Sequence, residues 1–458
     1  MKKLNEMVNL ITPSSEGKRI ALFSIISFVM TFLVFFPSVH SDFIFWDDYH
    51  DLVFNPYLLN STTIKGFFEY LTSLDARWFL RYIPFSRLTF FINYLFVGTD
   101  PFFYHLTNVL LHALNSVIFF QLICAFRYSS VNKLDKEKNI ELIFYLLITL
   151  FWSLNPLRVE AVSWVTARPH LLSFFWTGLL ILRLKNQDDS NKISNKSIFI
   201  LYILSLLSNP TTVTIPIVLF FYRKKIKLST SFWIFLLVST ILILSFSLSL
   251  EYQRDMKSDI ELTKRFTNFA YIALNLCMRS VLMKPQIPWD TRLLGQFTAN
   301  SFDYLIFFIL IGLTFFSIYR YKIKKNASSL YWPLFLILFF PVSGFSSAFP
   351  MTLDRYAYLA TAPLFIAFPI WANLKNKFQI ILQISFLSIL VINSSMITFI
   401  QQNIWESDRQ FFAELVDSYK DFPEIRNDFS RRYQTSLYYK FKGAKTYQET
   451  AEKYKLKK

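Results

Sequence analysis

The chain has 458 residues, a formal net charge of +17, 53% apolar residues and a mean hydropathy of +0.35. That balance excludes an ordinary soluble domain. The basic residues alternate with apolar runs instead of forming one face, so the charge reads as membrane topology, with no nucleic-acid partner.

Crossing roughly 30 Å of hydrocarbon takes about 20 apolar residues in a helix. Runs that approach this length lie at 20–39, 104–126, 140–154, 170–184, 197–208, 211–222, 231–250, 301–319, 330–345, 359–374 and 378–400. The predicted fold is therefore an all-α polytopic membrane protein with about eleven transmembrane helices. Residues 1–400 form the membrane domain, whose first external loop is 40–103, and residues 401–458 form a short external helical tail.

Lys2, Lys3, Lys18 and Arg19 precede the first run, and further basic clusters fall at 127–138, 183–196, 223–227, 320–325 and 375–377. The positive-inside rule makes that side cytoplasmic, with the N-terminus inside and the tail outside. A crossing at 269–283 would put the basic 320–325 segment outside, so 251–300 reads as one external region with an interfacial or re-entrant segment. The first apolar run is long enough to span and lacks a small-residue cleavage site, which reads as a retained helix. Heavy use of Phe, Ile, Lys and Asn suggests an AT-rich genome and a bacterial inner membrane. Cys124 and Cys277 sit in separate apolar segments and give no disulfide framework or metal motif. Eight glycines hide no phosphate loop.

The external segments carry the chemistry. Phe45-Trp46-Asp47-Asp48-Tyr49-His50-Asp51 follows the first run, and carboxylates so near lipid are costly to keep. Arg81 to Tyr94 follows, with Phe85, Leu88, Phe91, Ile92 and Leu95 at the spacing of an interfacial amphipathic helix. Asn155 to His170 holds Arg158, Glu160, Trp164 and Arg168, and a later loop holds Asp354-Arg355-Tyr356. Carboxylates can orient and deprotonate a hydroxyl. Arginines can clamp a phosphate. Aromatic rings can flank a sugar or mark the interface. Together they suit group transfer from a lipid phosphate.

At these residues the chain resembles a known family. Asp47-Asp48 followed by Asn55 is similar to the acidic loop motif of the glycosyltransferase C superfamily. Pro84 to His112, Pro156 to Arg168, Asn209-Pro210 to Pro216, Asp354 to Leu359 and Trp405-Glu406-Ser407 resemble, in collinear order, the tetratricopeptide-repeat O-mannosyltransferase family and its bacterial relatives. The resemblance implies a polyprenyl-phosphate sugar donor, mannose by the family's name. It also implies an acceptor hydroxyl on protein or surface glycan, and catalysis on the non-cytoplasmic side. Two positions depart from the family: Asn155-Pro156 stands where His-Pro is usual, and His170 where an acid is usual. Residues 406–458 are too few for the several repeats a solenoid needs, so the recruiting part reads as reduced, missing or supplied by another chain.

On that resemblance the catalytic candidates are Asp47, Asp48 and Glu160. The donor-phosphate candidates are Arg355, Arg168, Arg81 and Arg87, and the substrate-binding candidates are His105, His112, Tyr358 and His170. Each has a plainer alternative. The acids can cap helices, Glu160 can pair with an arginine, the histidines can pack between helices, and Arg355 can anchor at the interface. A hard divalent ion, Mg or Mn, is a further option at Asp47 and Asp48. The rival functions are a transporter or flippase of lipid-linked sugars, and an inactive scaffold.

The charge pattern fixes a first prediction. A membrane-impermeant thiol reagent added outside should label a cysteine introduced at Ser430 and leave one at Lys225 untouched. The opposite result would place Asp47 in the cytoplasm.

Overall fold

The computed structural model describes residues 16–75, 77–79, 81–127, 135–185, 195–221, 229–253, 262–285, 301–324, 327–343, 353–368, 374, 376–420 and 423–443. Among these every regular element is helical. The elements used below are α1 (Glu16–Phe35), α2 (Pro84–Val97), α3 (Pro101–Arg127), α4 (Asp135–Ser153), α5 (Arg168–Lys185), α6 (Leu262–Leu282), α7 (Lys377–Gln402), α8 (Asp408–Ser418) and α9 (Pro423–Lys442).

Among the described residues six helices are long and apolar enough to cross a membrane: Glu16–His40, Pro101–Arg127, Val165–Lys185, Thr230–Leu250, Phe302–Lys324 and Lys377–Trp405. The expected count of eleven is not reached by this measure. The run at 140–154 belongs to a bent pair, Glu137–Ser153 with Pro156–Ser163, kinked by 53°. Lys196–Ser208, Pro210–Phe220 and Ser328–Val342 are apolar but short. The run at 359–374 breaks into Ala357–Ala360 and Ala362–Ile366, and residues 369–373 lie outside the described residues. Proline explains most of these breaks, because Pro156, Pro210 and Pro363 each start a new helix instead of continuing one. The basic segment 223–227 also lies outside the described residues.

Helix α3 is the hub, packed against α1, α4 and α5. Its neighbours bury Phe119, Trp152 and Phe174 as a stack, with ring centroids 4.4 and 4.8 Å apart. Gly178 lets α5 approach α3, since a Cβ there would run into the Ile118 side chain. The outward faces of Thr230–Gln253 and Ser301–Lys324 remain exposed and apolar, as lipid-facing helices do.

Helix α2 forms where the spacing predicts an amphipathic helix, but its apolar residues divide. Phe85 packs on Trp176 and Phe91 on Phe67, while Ile92 and Leu95 stay exposed. Helix α6 is not among the candidate spans. Lys264, Arg265 and Arg279 interrupt its apolar face, and its C-terminal end turns in towards residues 155 and 354.

Helices α8 (Asp408–Ser418) and α9 (Pro423–Lys442) pack on each other and dock on the acidic loop. The Asp42 N–H donates to the Glu406 carbonyl at 2.8 Å, and the Phe45 N–H to Asp408 Oδ1 at 2.6 Å. Lys440 pairs with Asp408 at 2.9 Å and lies over the Tyr49 ring at 4.9 Å. Trp46 packs on Phe411 and Phe412 beneath the Arg432 guanidinium. Tail and first loop therefore share one side of the molecule.

This docking gives the second prediction. Asp408→Ala strips the partly buried Phe45 N–H of its acceptor and Lys440 of its partner, at a cost of about 1–3 kcal/mol. The expected readout is a lower melting temperature in detergent and faster protease cleavage within 40–55.

Candidate active site

The site is assembled on a stretch of chain that is irregular yet buried. From Asn155 to Arg168 the backbone runs through a 3-10 turn, one turn of α-helix and a second 3-10 turn. Such a path frees carbonyls that need donors inside an apolar bundle. Polar side chains of the neighbouring helices supply them. Asn108 Nδ2 donates to the carbonyls of Val162, Trp164 and Val165 at 3.2, 3.3 and 3.3 Å. Ser394 and Thr398 both donate to Leu154 O at 2.8 Å. Arg158 Nε donates to Trp152 O at 3.1 Å.

His112 belongs to this scaffold. Its Nε2 donates to Ser153 O at 2.9 Å, so its Nδ1 accepts from the Tyr358 hydroxyl at 2.6 Å, and Asn115 Nδ2 donates to that hydroxyl at 3.0 Å. His112 and Tyr358, read from the sequence as substrate-binding candidates, are thus committed to one relay that caps a helix end. Asn155, the first departure from the family pattern, caps Leu157 N through Oδ1 and donates to Ser280 O at 2.8 Å.

Arg168 and Arg87 are also committed. Arg168 donates to Asn108 Oδ1 and Asn93 Oδ1, both at 2.7 Å, and to Tyr104 O at 3.0 Å, with Phe90 beneath it. Arg87 donates to the carbonyls of Tyr70, Leu71, Ser73 and Arg81 and stacks 3.6 Å over Phe79. It gathers the first external loop around itself. His105 donates through Nε2 to Asp42 O at 3.3 Å and lies under the start of that loop.

The two adjacent acids differ sharply. Asp48 is buried and accepts from Ile44 N at 3.1 Å, Thr166 N at 3.0 Å and Thr166 Oγ1 at 2.8 Å. It fastens the acidic turn to the irregular segment. Burial pushes its carboxyl up to about 7, against the pull of these hydrogen bonds. Asp47 is half-buried and accepts no hydrogen bond among the described residues. Burial, reinforced by Asp51, pushes it up to about 6, while Arg355, His50 and Arg81 oppose the rise. The spacing predicts divergent side chains on an extended segment. They do diverge, but the turn is helical, where neighbours point roughly 100° apart. A divalent ion here would have to rest on Asp47 while Asp48 stays turned to its own donors. Among the described residues no three His, Cys, Asp or Glu side chains converge.

Around Asp47 stand the groups that can meet a substrate. Arg355 forms a close ion pair with Glu160, and its N–H donates to Glu160 Oε2 at 3.2 Å. Its guanidinium lies 4.6 Å over the Trp164 ring, which stacks on Trp405. Burial disfavours its charge, but Glu160, Tyr356 and Asp47 outweigh it and hold the guanidinium charged. Glu160 is therefore its counter-ion. Arg81 is half-buried, and its guanidinium makes no hydrogen bond or ion pair among the described residues. It stands in electrostatic reach of Asp47, Asp51, Tyr356 and Arg355, and burial makes its charge costlier than usual. Arg81 and Asp51 line a small recess with Tyr70, Phe79, Phe90 and Thr166.

Two further pairs complete the frame. His50 Nδ1 lies 2.7 Å from Asp51 and its Nε2 2.8 Å from Arg77 O, with Trp78 stacked on the ring. Both ring nitrogens face acceptors, and although burial disfavours the charged ring, the pairing with Asp51 raises its pKa above the usual value. Arg279 of α6 and Asp354 form a buried ion pair that braces the turn carrying Arg355. Residue-by-residue reading of the sequence left out His50 and Asp51. The four-residue spacing of Asp47 and Asp51, one helical turn, is the signal that could have found them. Nothing local in the sequence marks Thr166 or Arg279 as partners.

Comparison with known proteins bears on the class. The human protein O-mannosyl-transferase TMTC3 is 32% identical over 163 residues, 34% of this chain and 16% of the human protein. The nematode protein O-mannosyl-transferase F38B6.6 is 23% identical over 219 residues, 45% of this chain and 29% of the relative. The frog protein O-mannosyl-transferase tmtc2 is 36% identical over 101 residues, 22% of this chain and 11% of the relative. The matches thus span well under a third of these relatives' lengths. No family model matches, and no solved structure does. The family resemblance read from the motifs finds animal relatives of that kind, which lend no support to a bacterial inner membrane.

The contrast between the two acids gives the third prediction. Asp48→Asn turns an amide N–H₂ towards a backbone or hydroxyl donor and should cost about 1–3 kcal/mol. Melting curves in detergent should show the loss for Asp48→Asn and none for Asp47→Asn.

Proposed function

We propose that the chain is a multi-spanning glycosyltransferase that moves a sugar, mannose by its relatives' names, from a polyprenyl-phosphate donor to a protein hydroxyl. The observation that carries this reading is Asp47. It is a half-buried carboxylate without a hydrogen-bond donor of its own among the described residues, held opposite two guanidinium groups. The basic-loop asymmetry supports a non-cytoplasmic position for this face. Contact between the tail and the first loop supports an odd number of crossings, whatever the count of spans.

In this mechanism Asp47 accepts the proton of the acceptor hydroxyl as its oxygen attacks the anomeric carbon. The bond from that carbon to the phosphate oxygen breaks, and the electron pair leaves on the lipid phosphate. Arg81 and Arg355 meet the charge that develops there. Glu160 and Trp164 fix Arg355 from behind, so the planar fork points one way. Burial raises the basicity of Asp47, which brings it nearer the acceptor proton than an exposed aspartate would be.

The fourth prediction follows from that carboxyl. Asp47 works as a base only when ionised, so the transfer rate should climb with pH and reach half its plateau near pH 6. Asp47→Asn should cost about 10²–10⁴-fold in turnover and flatten the profile. The measurement is transfer by purified protein from a polyprenyl-phosphate sugar to a peptide, between pH 5 and 8. Wild-type turnover with an unchanged profile in Asp47→Asn would remove Asp47 from the chemistry.

A further inference from the structure

His170 is 4% exposed and stands in the first turn of α5, and its Nε2 has no partner among the described residues. Its other nitrogen decides what that atom is. Asn209 caps the short helix Pro210–Thr214, with Oδ1 accepting from Thr211 N at 3.2 Å. The amide is thereby oriented, and its Nδ2 faces His170 Nδ1 at 3.4 Å. An amide N–H donates, so Nδ1 accepts, and the proton of the neutral ring sits on Nε2. The result is a buried N–H donor left without an acceptor among the described residues, a costly state in an apolar interior.

Its surroundings indicate what would repay that cost. The ring lies 5.7 Å from Tyr356, beside Arg355, and in electrostatic reach of both Arg355 and Arg81. The start of an 18-residue helix adds its own preference for negative charge. Two guanidinium groups and an N–H donor thus face one region, and the ligand that complements them is an oxyanion.

We propose that His170 Nε2–H is a third donor to the phosphate of the lipid-linked substrate, with Asn209 as the positioning residue that fixes its tautomer. This assignment rests on the donor class proposed above. It gives the Asn209-Pro210 break a purpose, since the cap that starts the new helix also sets the proton on His170.

The test uses the full chain in nanodiscs with two probes, polyprenyl monophosphate without sugar and inorganic phosphate. A hydrogen bond to a charged group is worth about 1.5–3 kcal/mol, so His170→Phe should weaken lipid-phosphate binding about 10-fold or more. His170→Gln, which keeps an N–H donor, should recover most of that loss. Nitrogen-15 histidine NMR of the wild type avoids any folding failure of the variants, and five histidines keep the spectrum simple. It should show a neutral ring protonated at Nε2 whose signal shifts when the lipid phosphate is added. Equal lipid-phosphate binding by wild type and His170→Phe, or a proton on Nδ1, would overturn the assignment and leave the transferase reading intact. Wild-type binding of inorganic phosphate alone would assign the site to a free anion and overturn the lipid donor. Binding of neither probe would overturn both.

Discussion

Everything in the site depends on one constraint: a buried stretch of chain that is not a regular helix must still satisfy its carbonyls. Residues 153–168 lie between two helices of an apolar bundle and bend by 53° at their start. Water cannot serve that backbone, so side chains do. Asn108, Ser394 and Thr398 each donate to a carbonyl there, Arg158 donates to the Trp152 carbonyl just before it, and His112 donates to Ser153 O as the end of a relay through Tyr358 and Asn115. An unpaired buried backbone group costs about as much as a lost hydrogen bond, so this polar lining is what allows the break to exist.

The break in turn presents the functional residues. A continuous helix would spread Glu160, Trp164 and Thr166 around its circumference. The two 3-10 turns bring Glu160 and Trp164 to Arg355, and Thr166 to Asp48. The acidic turn is thus tied to the segment by its second aspartate, which leaves the first one facing the site. Arg355 is held on one side by Glu160 and from the next position by the Arg279–Asp354 pair. Rigid support of this kind limits the reorganisation needed when charge develops beside such a guanidinium.

The tail closes the arrangement from the far end of the chain. Trp405 stacks under Trp164, while Asp408 and Lys440 hold Phe45 and Tyr49. The same tail therefore touches both the turn that carries Asp47 and the platform that carries Arg355. The tail and the geometry of the site are thus physically connected.

The sequence by itself determined the class of architecture. Apolar runs, prolines and alternating basic clusters are local, and lipid imposes the same length on every span. It also marked Asp47, Arg81 and Arg355 as costly charges in external loops. It set Asp47 apart from Asp48 and preferred Arg355 to Arg168 and Arg87, but it gave no sign that Asp48, Arg87 and Arg168 are already held by partners elsewhere in the chain. Tertiary structure made that distinction. Asp48 meets donors 118 residues away, Arg168 meets Asn108 at a separation of 60, and Arg355 meets Glu160 at 195. Whether a buried charge is a support or a working group depends on which distant atoms already satisfy it. Hydrogen-bond partners so far apart in the chain leave no periodicity or spacing for a sequence to show.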